Sequence, residues 1–505
     1  MDTHDSWSFV FRIRAGPRDT RATAPQEVIA VMMRMPLTFG IGKIDRGGVR
    51  KHLRTSRNCP FGGVSSFSFR RGSRLQGMAS VIVCSGPHDG HVSPMLGVAR
   101  RLVARGHRVR FLTGPGYAGA VRATGAEFLP LGAGAEFSPQ PSTATGVGAV
   151  RAGIRALLLD PAPGQFHPLS AAISAEPTDA VLAEVTFIGA AALTGLPPGE
   201  RPPVIACGIL PSTLSSPDCA PYGMGLMPGR GAVARLRNRS LNWLTANVVL
   251  RDSQRQVDAL MKDLVGVGLD GLFLLDWPRR ADLIAQFTVP EFEYPRSDAP
   301  DTLRFFGPTS AHLPANVAKP EWWEDLDGLR PVVYVTQGTV SNKDFSTLIG
   351  PALDALAGED VIIAVSAGGR PVADLPPLPN NARAAEFLPD AELMPKTAVY
   401  VTNGGYGGLH QAMGHGVPMV VAGDTEDKPE CAARVAWAGA GINLKTGKPK
   451  PSAIRDAVLK VLREGRFRAG SSRIGAAISV SPGVDGLVDE VESLVRQRRS
   501  GETRR

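Results

Sequence analysis

Residues 80–112 read SVIVCSGPHDGHVSPMLGVARRLVARGHRVRFL. Residues 80–84 are a short β-branched run. Residues 94–106 place Leu96, Ala99, Leu102 and Val103 at helical spacing and stop at Gly106, and residues 108–112 supply a second apolar run. Strand, helix and strand in that order predict a parallel β-α-β unit. The unit starts two residues after the in-frame Met78, so the first domain is expected to begin at about residue 78, with Met78 the expected start codon.

Upstream, residues 1–77 show no sustained period of 2 or 3.6 and are expected to form a poorly ordered basic extension. They hold twelve Arg and two Lys against four Asp and one Glu; taken from totals of 56 and 47, that leaves 42 basic and 42 acidic residues from 78 onward. The formal charge of +9 therefore belongs to the extension. A basic total normally suggests a nucleic-acid partner, and its location removes that argument for the rest of the chain. The apolar stretch 28–41 is interrupted by Arg34, so it reads neither as a membrane span nor as a signal segment. Five cysteines, Cys59, Cys84, Cys207, Cys219 and Cys431, include no C-x-x-C pair. That spacing suits reduced thiols and a cytoplasmic location, with no disulfide and no structural metal expected.

Downstream, 505 residues at 43% hydrophobic and 20% charged exceed one core and are too apolar for disorder, so two domains are expected. Alternation continues through 180–182 and 203–210, turns Pro-rich at 211–229, and breaks in a linker within 289–327 that contains Trp322 and Trp323. It restarts with the continuous apolar runs 331–335, 361–365, 398–401 and 417–421, the pattern of parallel strands covered on both faces. The expected fold class is α/β, with two doubly wound, Rossmann-like domains facing across a cleft. Their bounds are 78–298, 328–480 after a linker at 299–327, and a C-terminal helix and tail at 481–505, where Leu487, Val491 and Leu494 keep helical spacing. In such sheets ligands bind outside the carboxyl ends of the strands.

Chemistry-bearing residues fall at those ends. His91 lies in the loop after the first strand, just before the expected helix, where an imidazole can accept a hydroxyl proton near neutral pH; a histidine that only caps the helix is the competing reading. Glu184 follows the run 180–182 and could orient it, although a Glu there also suits a helix start. In the second half, residues 400–411 read YVTNGGYGGLHQ, a strand, a Gly-rich turn and a helix start. Such a turn lets the backbone and helix amides approach a phosphate. No G-x-G-x-x-G follows the first strand, which disfavours a dinucleotide-dependent oxidoreductase. Gly338 and Thr339 follow 331–335, and Asp427 and Lys428 lie in the acidic turn after 417–421.

In their order and spacing, GHVSP, LVARGHRVRFLTG, VTQGT, AEFLPDAELMP, VTNGGYGGLHQAMGHGVP and TEDKPECAARV resemble the UDP-glycosyltransferase superfamily of GT-B fold, particularly the bacterial macrolide-type enzymes of natural products. The resemblance covers 78 to about 498. It implies inverting transfer of a hexose from a UDP- or dTDP-sugar to a hydroxyl of a small-molecule or lipid acceptor, with no metal ion or other cofactor. It makes His91 the base and Glu184 its partner, where the family usually has Asp. Phe387 takes the place of the aromatic that stacks on the base, usually Trp, with Leu388 beside it. Asn403 stands where the family has a diphosphate-binding His, so leaving-group charge falls to Thr339 and the amides of Gly404, Gly405, Tyr406 and Gly408. Gln411 replaces the ribose-binding Glu, and Asp427-Lys428 stands where Asp-Gln commonly faces the sugar. The departures at Asn403 and Gln411 motivate the alternative of a non-catalytic nucleotide-sugar-binding protein. The family's C-terminal helix crosses back onto the first domain.

Overall fold

The computed structural model describes residues 77–136, 147–309, 317–339 and 342–501; the expectations for 1–76 and for Cys59 lie outside them. Two sheets organise the chain. The first comprises β1 (Ser80–Cys84), β2 (Arg108–Thr113), β3 (Glu127–Pro130), β4 (Ala180–Glu184), β5 (Val204–Gly208), β6 (Leu283–Gln286) and β7 (Leu303–Phe305), in spatial order β3-β2-β1-β4-β5-β6-β7. The second comprises β8 (Val332–Thr336), β9 (Ile362–Ser366), β10 (Ala382–Ala385), β11 (Thr397–Thr402), β12 (Met419–Val421) and β13 (Gly441–Asn443), ordered β10-β9-β8-β11-β12-β13. Every pairing is parallel. Strand order reverses between β1 and β4 in one sheet and between β8 and β11 in the other, giving each a switch-point crevice.

Burial explains the continuous apolar runs. In β1, Val81 and Val83 face one core while Ile82 and Cys84 face the other. In β8, Val333 and Val335 are likewise separated from Val332 and Tyr334. Each sheet is thus coated on both sides. The cysteines Cys84, Cys207, Cys219 and Cys431 are buried, separate thiols. Among the described residues no helix is long and apolar enough to cross a membrane.

Two segments depart from the expected bounds. The first sheet runs past 298, because Leu303–Phe305 adds an edge strand inside the expected linker. The rest of that linker is not a free tether: Trp323 and Leu326 are buried in the second domain's core, as are Val289 and Phe292 just ahead of it, and Trp322 Nε1 donates to the Ala384 carbonyl at 3.1 Å.

Four helices matter below: α1 (Asp89–Ala104), α2 (Tyr406–Gly414), α3 (Lys428–Trp437) and α4 (Gly483–Ser500). The last of these packs on the first domain, where Leu487, Val488, Val491, Leu494 and Val495 share a core with Val92, Met95 and Leu102. Arg499 reinforces the contact with bonds to Asp179 and the Met78 carbonyl.

Candidate active site

His91 lies in the first turn of α1, not ahead of it as the run 94–106 suggested. The helix begins at Asp89, whose carboxylate suits the positive end of the helix dipole. Pro94 is the sixth residue of the helix and forfeits the bond its amide would give to the Gly90 carbonyl, so it reads as a start signal without being one. Glu184 is the last residue of β4, on the neighbouring strand across the switch point. Its side chain spans the gap, with Oε1 at 3.2 Å from His91 Nδ1. The Glu184 carboxylate is fully buried and accepts further bonds from the Thr186 amide at 2.6 Å and the Gly86 amide at 3.3 Å. Thr186 Oγ1 lies 2.6 Å from Oε1 and 2.8 Å from Oε2, and 3.2 Å from His91 Nδ1.

The electrostatics follow from these contacts. Burial alone would raise the Glu184 pKa, but the His91 charge and the bonds from His91 and Thr186 prevail and hold it below the ordinary value. Burial likewise pulls His91 down, yet the charge and hydrogen bond of Glu184, helped by Asp427 and Glu426, leave it raised. An imidazole whose Nδ1–H is held by a carboxylate keeps its lone pair on Nε2, the arrangement of a general base. Asp427 and Glu426 belong to the other domain, so the two halves meet electrostatically at His91. Neighbouring His88 is pushed the opposite way, by burial and by the His91 charge.

On the second domain, the turns after β8 and β11 face each other across its switch point. Asn403 Nδ2 donates to the Gln337 carbonyl at 2.5 Å and so ties the turns together. Gly338 and Gly404 both have positive φ, and both amides donate to the threonine two residues back, Thr336 and Thr402. The Gly404 amide expected to serve a diphosphate is thus already occupied, leaving Gly405, Tyr406 and Gly408 at the start of α2, where helix amides lack intrahelical partners. A side chain at Gly404 is excluded, since its Cβ would lie 2.7 Å from Val421 Cγ1. Tyr406 offers only its amide, because its ring is buried against His410 (centroids 4.4 Å apart) and Phe292. Thr339 is exposed and Gln411 half-buried.

Phe387 is half-buried over the turn after β9, where a Cβ on Gly369 would come within 2.6 Å of its ring. The adjacent Gly368 approaches Gly338 so closely that its Cβ would lie 2.1 Å from the Gly338 carbonyl. An aromatic face and an amide-bearing turn are thereby juxtaposed. Leu388 turns its side chain into the core, leaving its backbone beside the ring. Asp427 precedes the first residue of α3 without a side-chain capping bond; burial raises its pKa, with Lys428 acting against the rise. Lys428 is buried and paired with Glu426, so its charge is largely spent.

Sequence reading missed a buried ionic cluster that joins the domains. Arg434 of α3 donates to Glu293 Oε1 through Nη2 at 2.5 Å and Nε at 3.1 Å, and Arg296 Nη1 reaches the same oxygen at 3.1 Å. Arg434 also lies 4.0 Å over the Tyr294 ring and donates to Glu430 Oε2 at 2.8 Å. The other Glu430 oxygen accepts the amides of Gly223 and Gly225 at 3.0 and 2.8 Å. Partners separated by 141 and by 205 positions leave no local pattern to read. Thr186 was also missed, although a hydroxyl two residues after an acid is a recognisable turn signal.

Known proteins agree with this architecture. Residues 351–494 match the family model of the erythromycin biosynthesis protein CIII-like C-terminal domain. The 4'-demethylrebeccamycin synthase of Lentzea aerocolonigenes is 42% identical over 430 residues, 83% of this chain and all of that protein. UDP-glycosyltransferase 2 of Phaeomoniella chlamydospora is 33% identical over 438 residues, 82% and 95% of the two chains. The crystal structure of the calicheamicin glycosyltransferase CalG4 superimposes with a TM-score of 0.64 at 22% identity, over 83% of this chain and 99% of that one. The superposition shows a GT-B fold, and the identity to these two relatives over almost their whole length makes the protein a glycosyltransferase. The chain belongs to the UDP-glycosyltransferase superfamily.

Proposed function

We propose that the protein is an inverting, metal-independent transferase that moves a hexose from a UDP- or dTDP-sugar to a hydroxyl of a small natural product or lipid, in the cytoplasm. The observation that carries this reading is the His91–Glu184 pair at one switch point, with the charges of Asp427 and Glu426 reaching it from the domain that bears the Gly-rich turns. The names of similar proteins support an aglycone acceptor: one is a demethylrebeccamycin synthase, and a spinosyn rhamnosyltransferase is known complexed with thymidine diphosphate and with its aglycone.

In this mechanism the acceptor hydroxyl gives its proton to His91 Nε2 as its oxygen attacks the anomeric carbon from the face opposite the diphosphate. The bond from that carbon to the diphosphate oxygen breaks, and its electron pair leaves with the nucleoside diphosphate. Glu184 fixes the tautomer and stabilises the imidazolium that forms. The amides of Gly405, Tyr406 and Gly408, with Thr339, meet the leaving charge, a task suited to fixed dipoles. Phe387 carries the base, Gln411 the ribose, and Asp427 the sugar. Asn403 acts by holding the two turns in register, so the missing histidine is replaced by backbone donors. The test is mass spectrometry of a panel of hydroxylated aromatic, macrolide and lipid acceptors incubated with mixed UDP- and dTDP-hexoses. A mass gain of one hexose, absent without donor, supports the reading; donor binding with no transferred sugar across the panel overturns it.

A further inference from the structure

Glu430 lies in the first turn of α3, two residues beyond Lys428, and is 5% exposed. One carboxylate oxygen holds the amides of Gly223 and Gly225, in the 211–229 loop of the first domain; the other holds Arg434, which in turn binds Glu293. The contact is made at backbone level: Gly225 has φ +60, and a Cβ there would lie 2.9 Å from the Pro429 carbonyl and 3.1 Å from Pro429 Cβ. Tyr222, at the head of the same turn, has its hydroxyl pushed up by burial and then by the Asp427 charge, so the loop sits beside the residue assigned to the sugar.

We propose that Glu430 is a positioning residue that fastens the acceptor-side loop 221–225 onto the donor-side helix, so that a bound acceptor rather than water meets the donor sugar. The inference rests on the sugar-transfer reading above. Without the fastening, the same base could serve water: its oxygen attacks the anomeric carbon, its proton passes to His91, and the carbon–diphosphate bond breaks to give free sugar and nucleoside diphosphate. A loop held by two amide bonds to a buried carboxylate both shapes the acceptor's side of the cleft and limits solvent entry. Neither effect requires Glu430 to touch a substrate.

Gly225→Ala tests the idea without leaving any buried charge unpaired, because the added methyl pushes the loop off Pro429. Gly231→Ala is the control: it too has a positive φ, +80, that a side chain strains, but with open space around its Cβ. For Gly225→Ala, acceptor KM should rise and the ratio of donor hydrolysis to transfer should grow, each ~10-fold, the scale of one hydrogen bond to a charged group, while donor affinity and Tm follow the control. Glu430→Ala should show the same shift with some loss of Tm. Glu430→Gln, whose amide oxygen can still accept from Gly223 and Gly225, should recover part of the partition. A folded Gly225→Ala protein with the control's acceptor KM and partition overturns the role of Glu430 and leaves the transfer reading standing. A wild-type protein that neither transfers nor hydrolyses any UDP- or dTDP-hexose overturns both.

Discussion

Thr186 stands between Glu184 and His91, its Oγ1 at 2.6 Å from the carboxylate and 3.2 Å from the imidazole Nδ1. A hydroxyl has one proton, and here it goes to Glu184, so its oxygen can accept only from a protonated Nδ1. The threonine therefore selects the same tautomer as the glutamate. Thr186→Val keeps the shape and removes the hydroxyl. A hydrogen bond to a charged group is worth ~1.5–3 kcal/mol, so kcat should fall about tenfold or more with donor affinity unchanged. Thr186→Ser should restore it, and an unaltered kcat in the valine variant would show that the hydroxyl only supports the turn.

His91→Ala removes the proposed base outright. Steady-state transfer should drop at least ~100-fold, the usual scale of general-base loss, while calorimetry still detects the donor. Near-normal turnover in a folded variant would move the base elsewhere.

The pH profile carries a sign. His91 must be neutral to take a proton, and its pKa lies above the ordinary 6.5 because Glu184, with Asp427 and Glu426, outweighs burial. The acid limb of kcat/KM should therefore have its midpoint above 6.5. In Glu184→Gln the main raising charge is gone while burial remains, so the midpoint should move down. A midpoint that stays in place or rises would detach Glu184 from His91.

Phe387→Ala should weaken donor binding about tenfold, since stacking a base on an aromatic ring is worth ~1–3 kcal/mol. Acceptor KM should hold, and Phe387→Trp should bind at least as well as the native protein. Titration of UDP and dTDP separately reads the effect.

Arg434→Met tests the buried cluster as a stability element. Breaking a buried pair by removing one partner costs ~3–5 kcal/mol, measurable as a lower urea midpoint at pH 7. Burial opposes ionisation of Glu293, yet Arg434 and Arg296 hold its pKa down at about 2, against an ordinary 4.5. A carboxyl lowered on folding contributes stability above pH 4.5 and loses it as pH falls toward 2. The native protein should weaken through that window, and the variant, having less to lose, should weaken less.

The strands were legible because parallel strands buried on both faces are mostly apolar, and 81–84, 331–335 and 361–365 are. His91 and Glu184 were legible as strand-end residues in a doubly wound sheet, where chemistry collects. The start of α1 was misplaced because Pro94 imitates a helix start. The strand Leu303–Phe305 was hidden because three residues at a sheet edge carry no period. Glu293, Glu430 and Arg434 look like ordinary surface charges in one dimension. Only the docking of one domain's loop on the other's helix buries them, and that pairing has no signature in spacing.

The seat of α4 has a consequence for how the chain is made. Val92, Met95 and Leu102 emerge from the ribosome long before the residues that cover them, Leu487 to Val495, because the whole second domain is synthesised in between. The first domain thus waits with one apolar flank bare, and it closes only after its partner has been built.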